Sequence, residues 1–205
     1  RVFITLQNET FVSTISYDSD TITSPATSDN QYSFNLQVLK NTSINIKTGI
    51  YQEIIPIKIP RNCALMGDEL RSTNVQPAAG YESIGLDMFR VNNGSGIRNM
   101  TLQGITGDLP LGANDNGTRI PTGGAFVTLD PGTGPDDTSV WITNKSPYVQ
   151  NVTTFGTACI GMKIDGTYHN GGNKSVVAND FTQVISDGIG YWANEAGRSE
   201  LVSVF

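Results

Sequence analysis

The sequence predicts an all-β fold, specifically a right-handed parallel β-helix that is incomplete at its C-terminus. Three observations carry this prediction: short strand-like runs follow one another closely, turns of two or three residues separate them, and no amphipathic helix intervenes. Three short strands in a coil of roughly 20–30 residues are typical of a solenoid, in which each coil buries its inward side chains on the next.

Composition agrees with a β-rich fold and excludes several classes of function. Only 16% of the 205 residues are charged, and Gly alone accounts for 22 positions. With 13 Lys and Arg against 19 Asp and Glu, the net charge is −6, and no cationic cluster is present to neutralise phosphates. We therefore expect no nucleic-acid binding. No apolar run approaches the ~20 residues that span a bilayer, so we expect no membrane insertion.

The first part of the chain is predicted to differ from the rest. Residues 1–28 contain two strand-like runs and a connector, and are interpreted as an N-terminal attachment or capping segment. Residues 31–40 are the best helical candidate. From residue 29 to 205 we expect the first coils of the β-helix, and the first strands are predicted at Ser43–Lys47, Tyr51–Ile54, Ile55–Ile59, Cys63–Gly67 and Ser72–Val75.

Later segments can be laid over one another with Asn99, Asn151 and Asn179 at the same position. The step from 151 to 179 suits one coil, whereas the step from 99 to 151 needs two coils or one coil with a long excursion. Residues 107–138 are rich in turn residues around the strand Ala125–Leu129, and are predicted to form a long lateral loop. Stacked amides on successive coils could hydrogen-bond as a ladder; three unrelated loop asparagines are the alternative.

The two ends and the two cysteines lead to further expectations. The chain starts without Met and ends in the strand-like run Leu201–Phe205, so we expect it to be a piece of a longer polypeptide. Cys63 and Cys159 lie far apart in the sequence and are expected to be buried free thiols rather than a disulfide. A lone histidine and two distant cysteines predict no metal site and no cofactor.

The run Ile44–Glu53, followed by Ile55–Ile57 and Ala64–Asp68, resembles the first coils of the pectin-lyase-like superfamily. In that superfamily an alternating strand, a Gly-x-Tyr-x-Glu phrase, an apolar strand and an apolar-Gly-Asp turn follow one another. The resemblance implies the fold and does not specify an activity.

A second resemblance covers roughly residues 40–205 and rests on Ser139–Thr153, His169–Ser175 and Asp187–Ala193. These runs are similar to large virion structural proteins of tailed marine phages, first among them the phages with contractile tails that infect cyanobacteria. The resemblance implies a virion protein of the tail fibre or baseplate, a homotrimer, and contacts with other virion proteins.

Candidate functional residues fall into two groups. Enzymes on such a scaffold cut polysaccharides with paired carboxylates, and Asp165, Asp180 and Asp187 are the candidates, although turn residues solvated at the surface are the simpler interpretation. His169 is a candidate general base only if a carboxylate converges on it, and a surface or interface contact is the alternative. A glycan could stack on aromatic side chains, which also fill cores and interfaces; the binding candidates are Trp141, Tyr148, Tyr168, His169, Tyr191 and Trp192.

Three hypotheses for function remain open at this point. The first is a structural or adhesive component of a phage tail or baseplate, without chemistry, that contacts a host surface glycan. The second is a polysaccharide depolymerase, either a lyase or a glycoside hydrolase, on the same scaffold. The third is a bacterial surface adhesin. The absence of a convergent catalytic set in the sequence favours the first.

Overall fold

The computed structural model describes residues 42–83, 85–107 and 124–205. Within these ranges the chain forms thirteen β-strands and no helix. The predicted segment 1–28 and the helical candidate 31–40 lie outside the described residues. In chain order the strands are β1 (Thr42–Ile46), β2 (Gly49–Glu53), β3 (Ile57–Lys58), β4 (Cys63–Gly67), β5 (Thr73–Pro77), β6 (Phe89–Val91), β7 (Gly96–Thr106), β8 (Ala125–Leu129), β9 (Tyr148–Thr157), β10 (Ile160–Asp165), β11 (Ser175–Ser186), β12 (Ile189–Asn194) and β13 (Arg198–Val204).

The strands form two sheets, and neighbouring strands within each sheet are parallel. The first sheet follows the order β1-β4-β7-β9-β11-β13 with β2 and β5 beside it, and the second follows β12-β10-β8-β6-β3. The chain passes from the first sheet to the second and back, and each circuit lies on the one before. This is the parallel β-helix that the sequence predicted. Parallel crossovers are right-handed in nearly all cases, which is the expected sense.

Each long strand of the first sheet is bent by one residue in the left-handed conformation. These residues are Asn99, Asn151, Asp180 and Ser203, with φ between 50° and 55°. The strand register sets them side by side, because Met100 pairs with Val152 and Phe181 pairs with both Val152 and Val204. Asn and Asp tolerate this conformation better than other residues with a side chain. The bend therefore recurs at the same place in four successive coils.

The predicted asparagine ladder is correct for two of its three members. Asn151 Nδ2 donates a hydrogen bond to Asn99 Oδ1 at 3.1 Å. The placement of Asn179 is wrong, because this residue pairs with Gln150 and the next residue, Asp180, occupies the bend. The direct pairing of β7 with β9 also shows that the step from 99 to 151 is one coil with a long excursion.

Apolar side chains stack in register through the interior. One column runs along the first sheet through Leu65, Ile97, Val149 and Ala178. The second sheet contributes the column Ile57, Phe89, Val127, Met162 and Tyr191. All of these side chains belong to or pack against one core. Burial of each large apolar side chain stabilises the fold by about 1.5–3 kcal/mol, so the stack of coils is held mainly by this shared interior.

The two cysteines are buried and unpaired, as the sequence predicted. Burial raises the pKa of the Cys63 thiol, and it raises the pKa of Cys159 to about 11. Only the thiolate is reactive, so neither cysteine is a nucleophile at neutral pH.

The predicted lateral loop 107–138 contains a strand of the core. All five residues of β8 are buried, so this region is two excursions separated by a core strand. Residues 108–123 of the first excursion lie outside the described residues. The second excursion, residues 130–147, connects β8 to β9 and is called the lateral segment below.

We expect Asn151→Ala to destabilise the protein by about 1–2 kcal/mol in chemical denaturation. The substitution removes the amide hydrogen bond to Asn99 and places a Cβ without a compensating polar group in the left-handed region. Asn151→Gly is the matched control, because it loses the same amide but adopts this φ freely. If both variants are equally destabilised, conformational strain at the bend contributes nothing.

Candidate functional site

The lateral segment is held against the turns that precede three strands of the first sheet. Arg61, in the turn before β4, donates from Nη2 to the carbonyl of Trp141 at 2.6 Å and to that of Thr138 at 3.3 Å. In the turn before β11, the Asn173 backbone N–H donates to the Ile142 carbonyl at 2.6 Å. The segment is therefore attached to coils on both sides of its own.

Asn93, in the turn before β7, makes the third attachment. Its Oδ1 accepts hydrogen bonds from three consecutive backbone N–H groups, those of Thr143 at 3.1 Å, Asn144 at 3.3 Å and Lys145 at 3.1 Å. The Asn93 Nδ2 donates to Asn144 Oδ1 at 3.2 Å. Asn93 is buried. A single amide thus satisfies three donors of a turn, which fixes the end of the lateral segment where it enters β9.

Asp137 organises the exposed tip of the lateral segment. Its carboxylate accepts hydrogen bonds from the hydroxyl and backbone N–H of Ser139 and from those of Thr133. These hydrogen bonds, with that from the Ser139 hydroxyl first, lower the pKa of Asp137 to about 2. The tip is therefore a loop with its own internal structure around an ionised carboxylate.

Trp141 packs against Gly171 and Gly172 in the turn at 165–173. A side chain at Gly171 would clash with the Trp141 ring, because an ideal Cβ there lies 2.3 Å from the nearest ring carbon. The indole Nε1 donates to the Pro135 carbonyl at 3.2 Å, which fixes the ring. Tyr168, in the same turn, is 39% exposed. We call Trp141, Tyr168 and the backbone between 165 and 173 the lateral surface. The structure brings these two predicted binding residues into one region.

His169 lies beneath the lateral surface. Its side chain is fully buried, so the expectation of a surface or interface contact is wrong. Neither ring nitrogen has a hydrogen-bond partner among the described residues. Burial lowers the pKa of His169, and the positive charge of Lys174 lowers it further, while the negative charges of Asp130 and Asp165 act in the opposite direction. His169 is therefore a neutral imidazole within electrostatic reach of two carboxylates.

Asp165 lies in the same region as a carboxylate that the sequence analysis missed, Asp130. The pairing of β10 with β8 ends at Lys163 and Thr128, two residues before Asp165 and Asp130. Both carboxylates act electrostatically on His169. Asp130 is buried and lies 3.5 Å from Lys58 Nζ. Asp165 Oδ1 accepts hydrogen bonds from the backbone N–H and the hydroxyl of Thr167. Both carboxylates thus have structural partners.

The other two candidate carboxylates, Asp180 and Asp187, lie away from Asp130 and Asp165. Asp165 pairs with Asn194 at the end of β12, whereas Asp187 precedes Ile189 at the start of that strand. Ile189 and Asn194 are five residues apart, about 16 Å at ~3.3 Å per residue, and Asp187 lies at the Ile189 end of the strand. Asp180 occupies the bend of β11 in the first sheet. The three carboxylates named from the sequence therefore do not meet across one bond.

The remaining aromatic candidates lie elsewhere on the solenoid. Tyr148 packs against Arg98, whose guanidinium carbon is 5.6 Å from the ring centroid. Tyr191 packs against the core. Trp192 lies on the opposite face of β12, where Lys163 Nζ is 5.3 Å from the ring centroid. The six binding candidates therefore occupy at least three separate places, and only Trp141, Tyr168 and the buried His169 belong together.

The described ranges contain no group of three or more His, Cys, Asp or Glu side chains placed to hold a metal ion. A search of the same residues for a helix long and apolar enough to cross a bilayer also found none. Comparison of the chain with protein-family models, with curated proteins and with solved structures found no match.

Two signals in the sequence could have identified Asp130. It directly follows the core strand β8 and precedes a Pro-Gly turn, just as Asp165, the last residue of β10, precedes Gly166. Aligning strand ends, rather than single asparagines, would have set these carboxylates in register. Arg61 and Asn93 carry no such signal, because their partners are backbone groups about 50 to 80 residues away in the sequence.

We expect Asn93→Ala to destabilise the protein by about 1–3 kcal/mol, because three backbone donors in part-buried hydrogen bonds lose their acceptor. Chemical denaturation measures the loss, and amide hydrogen exchange of Thr143, Asn144 and Lys145 should accelerate. Asn144→Ala is the control, since it removes an exposed amide from the same contact. Equal effects of the two substitutions would contradict the importance of the Asn93 acceptor.

Acid is expected to destabilise the protein through His169. The pKa is lower in the folded state than its ordinary value of 6.5, so the unfolded chain binds the proton first as the pH falls. Stability is thus retained above pH 6.5 and lost below it, by as much as ~1.4 kcal/mol per pH unit. Denaturation curves between neutral pH and pH 5 should show a smaller loss in His169→Leu. An unchanged pH dependence in that variant would refute the assignment.

Proposed function

We propose that this chain is a structural or adhesive part of a virion, located in the tail fibre or baseplate of a tailed phage. The observation that supports this most is the burial of the groups that could do chemistry. His169 is inaccessible, Asp130 is buried and ion-paired, and Asp165 is engaged by Thr167. A rigid stack of coils with aromatic side chains on a fixed lateral surface suits attachment better than catalysis.

The phage assignment rests on the resemblance of residues 139–153, 169–175 and 187–193 to virion structural proteins. Antibodies against this chain should label particles of cyanobacterial phages at the tail or baseplate in electron micrographs. Labelling confined to the capsid, or to a bacterial envelope, would contradict the proposal, and envelope labelling would favour the surface adhesin.

Adhesion is expected to depend on the lateral surface. The fluorescently labelled chain should bind host cells, and Tyr168→Ala should weaken that binding by about tenfold or more, as an exposed aromatic contact does when it is truncated. Trp192→Ala is the control, since this ring lies on the second sheet beside Lys163. Equal losses in both variants, or no binding to the host, would count against attachment through the lateral surface.

The depolymerase is the second candidate, and it is favoured by two carboxylates at the ends of adjacent strands, Asp130 and Asp165, that both act electrostatically on His169. If the register of β8 and β10 continues to these residues, the carboxylates are about one strand spacing apart, ~4.8 Å, which suits a retaining glycoside hydrolase. If this is the function, host capsular polysaccharide incubated with the protein should become shorter in size-exclusion chromatography, and Asp165→Asn should stop the shortening. Polymer of unchanged length after prolonged incubation removes this candidate.

A further inference from the structure

Two columns of outward side chains on the first sheet contain no ionisable group. The first column runs through Ile50, Asn74, Thr101, Thr153 and Thr182, which pair in register from coil to coil. Within it Thr101 is buried, and its hydroxyl donates to the Leu70 carbonyl at 2.7 Å. The second runs through Gln52, Gln76, Gln103, Phe155 and Val184. The residues between the columns, such as Tyr51, Val75 and Leu102, pack in the core, so the columns point away from it. We call these ten residues the uncharged face.

The uncharged face contrasts with the outward column of the second sheet. There, Lys58, Arg90 and Lys163 occupy three of five positions in register. The chain has 13 Lys and Arg and 19 Asp and Glu, and none of them lies in the uncharged face. Two of the cations in the second-sheet column are ion-paired, Lys58 with Asp130 and Arg90 with Asp87. The uncharged face is therefore unsuited to a partner that is recognised by charge.

The same face exposes large apolar side chains. Phe155 is 45% exposed and Val184 is 48% exposed, and the two are neighbours on adjacent coils. Ile50, at the other end of the face, is 68% exposed. Between them the Gln103 amide donates to Gln76 Oε1 at 2.9 Å, which leaves each amide with further donors and acceptors. Single exposed apolar residues are ordinary, but adjacent ones on a flat, uncharged sheet face indicate a contact surface.

We propose that the uncharged face is a self-association surface, and that it binds the same face of a second copy of this chain. Two copies of net charge −6 repel each other least where the surfaces that meet carry no charge, and this face provides such a surface. Amides and hydroxyls both donate and accept, so a row of them can pair with an identical row across a two-fold axis. The proposal specifies where copies meet and is independent of the virion assignment.

The expected association is weak in this chain. Five coils at ~4.8 Å each, two columns wide, give a flat area of roughly 300–400 Å², about half of the ~800 Å² per partner of a standard interface. A reversible, concentration-dependent equilibrium is therefore expected. Sedimentation velocity over a concentration series should show the monomer shifting towards a larger species as the concentration rises.

The test compares lysine substitutions at three places on the 205-residue chain. Val184→Lys and Thr182→Lys place a cation on the uncharged face of each copy and should weaken association about tenfold or more, through like-charge repulsion. Val177→Lys is the matched control, because Val177 lies in β11 before the Asp180 bend and pairs with Tyr148 and Glu200. Circular dichroism and thermal melting verify that each variant is folded, and Thr182→Lys serves if Val184→Lys is not.

The outcomes separate this surface from others. Loss of association in the two face variants, with Val177→Lys unchanged, supports the proposal. A chain that stays monomeric at every concentration overturns it. End-to-end stacking through β13 would also overturn it, and is recognised if Leu201→Lys abolishes association while Val184→Lys does not, since Leu201 is exposed in the last strand.

Discussion

The backbone hydrogen bonds between successive coils are the constraint on which the rest of the structure depends. A parallel ladder requires that each strand follow the path of the strand before it, and the pairing of β7 with β9 departs from this by one register shift between Gln103 and Ile105. The chain must nevertheless turn to enclose an interior, and it does so at Asn99, Asn151, Asp180 and Ser203 without leaving the ladder. The interior columns stay aligned because all four bends occur at the same register.

This constraint explains what could be predicted from the sequence. The strands from β1 to β5 were predictable because alternation and short turns are local signals. Asn179 was misplaced by one residue because a short overlay matches residue types, whereas the bend conserves a backbone conformation that Asn, Asp and Ser all adopt here. A one-residue difference is decisive in a strand, since it moves a side chain to the other face.

The candidate site was less predictable, for a different physical reason. Trp141 and Tyr168 were recognised from residue type alone, but the position of His169 depends on how two excursions pack. Its turn is held by the contact between residues 141–143 and 171–173, which lie about 30 residues apart in the sequence. Likewise, Asp130 could be related to Asp165 only through the pairing of β8 with β10. Sites of this kind are formed by side chains from different coils and not by a local sequence motif.

The attachment of the lateral segment has a mechanical consequence. Solenoids whose coils contact only their neighbours can fray from one end, a coil at a time. Here Arg61, Asn93 and Asn173 hold the lateral segment against the turns before β4, β7 and β11. The lateral segment therefore contacts several successive coils. Unfolding any one of these coils must break polar contacts that join it to the other coils. The middle coils are therefore expected to unfold cooperatively and to resist a force applied at the ends of the solenoid.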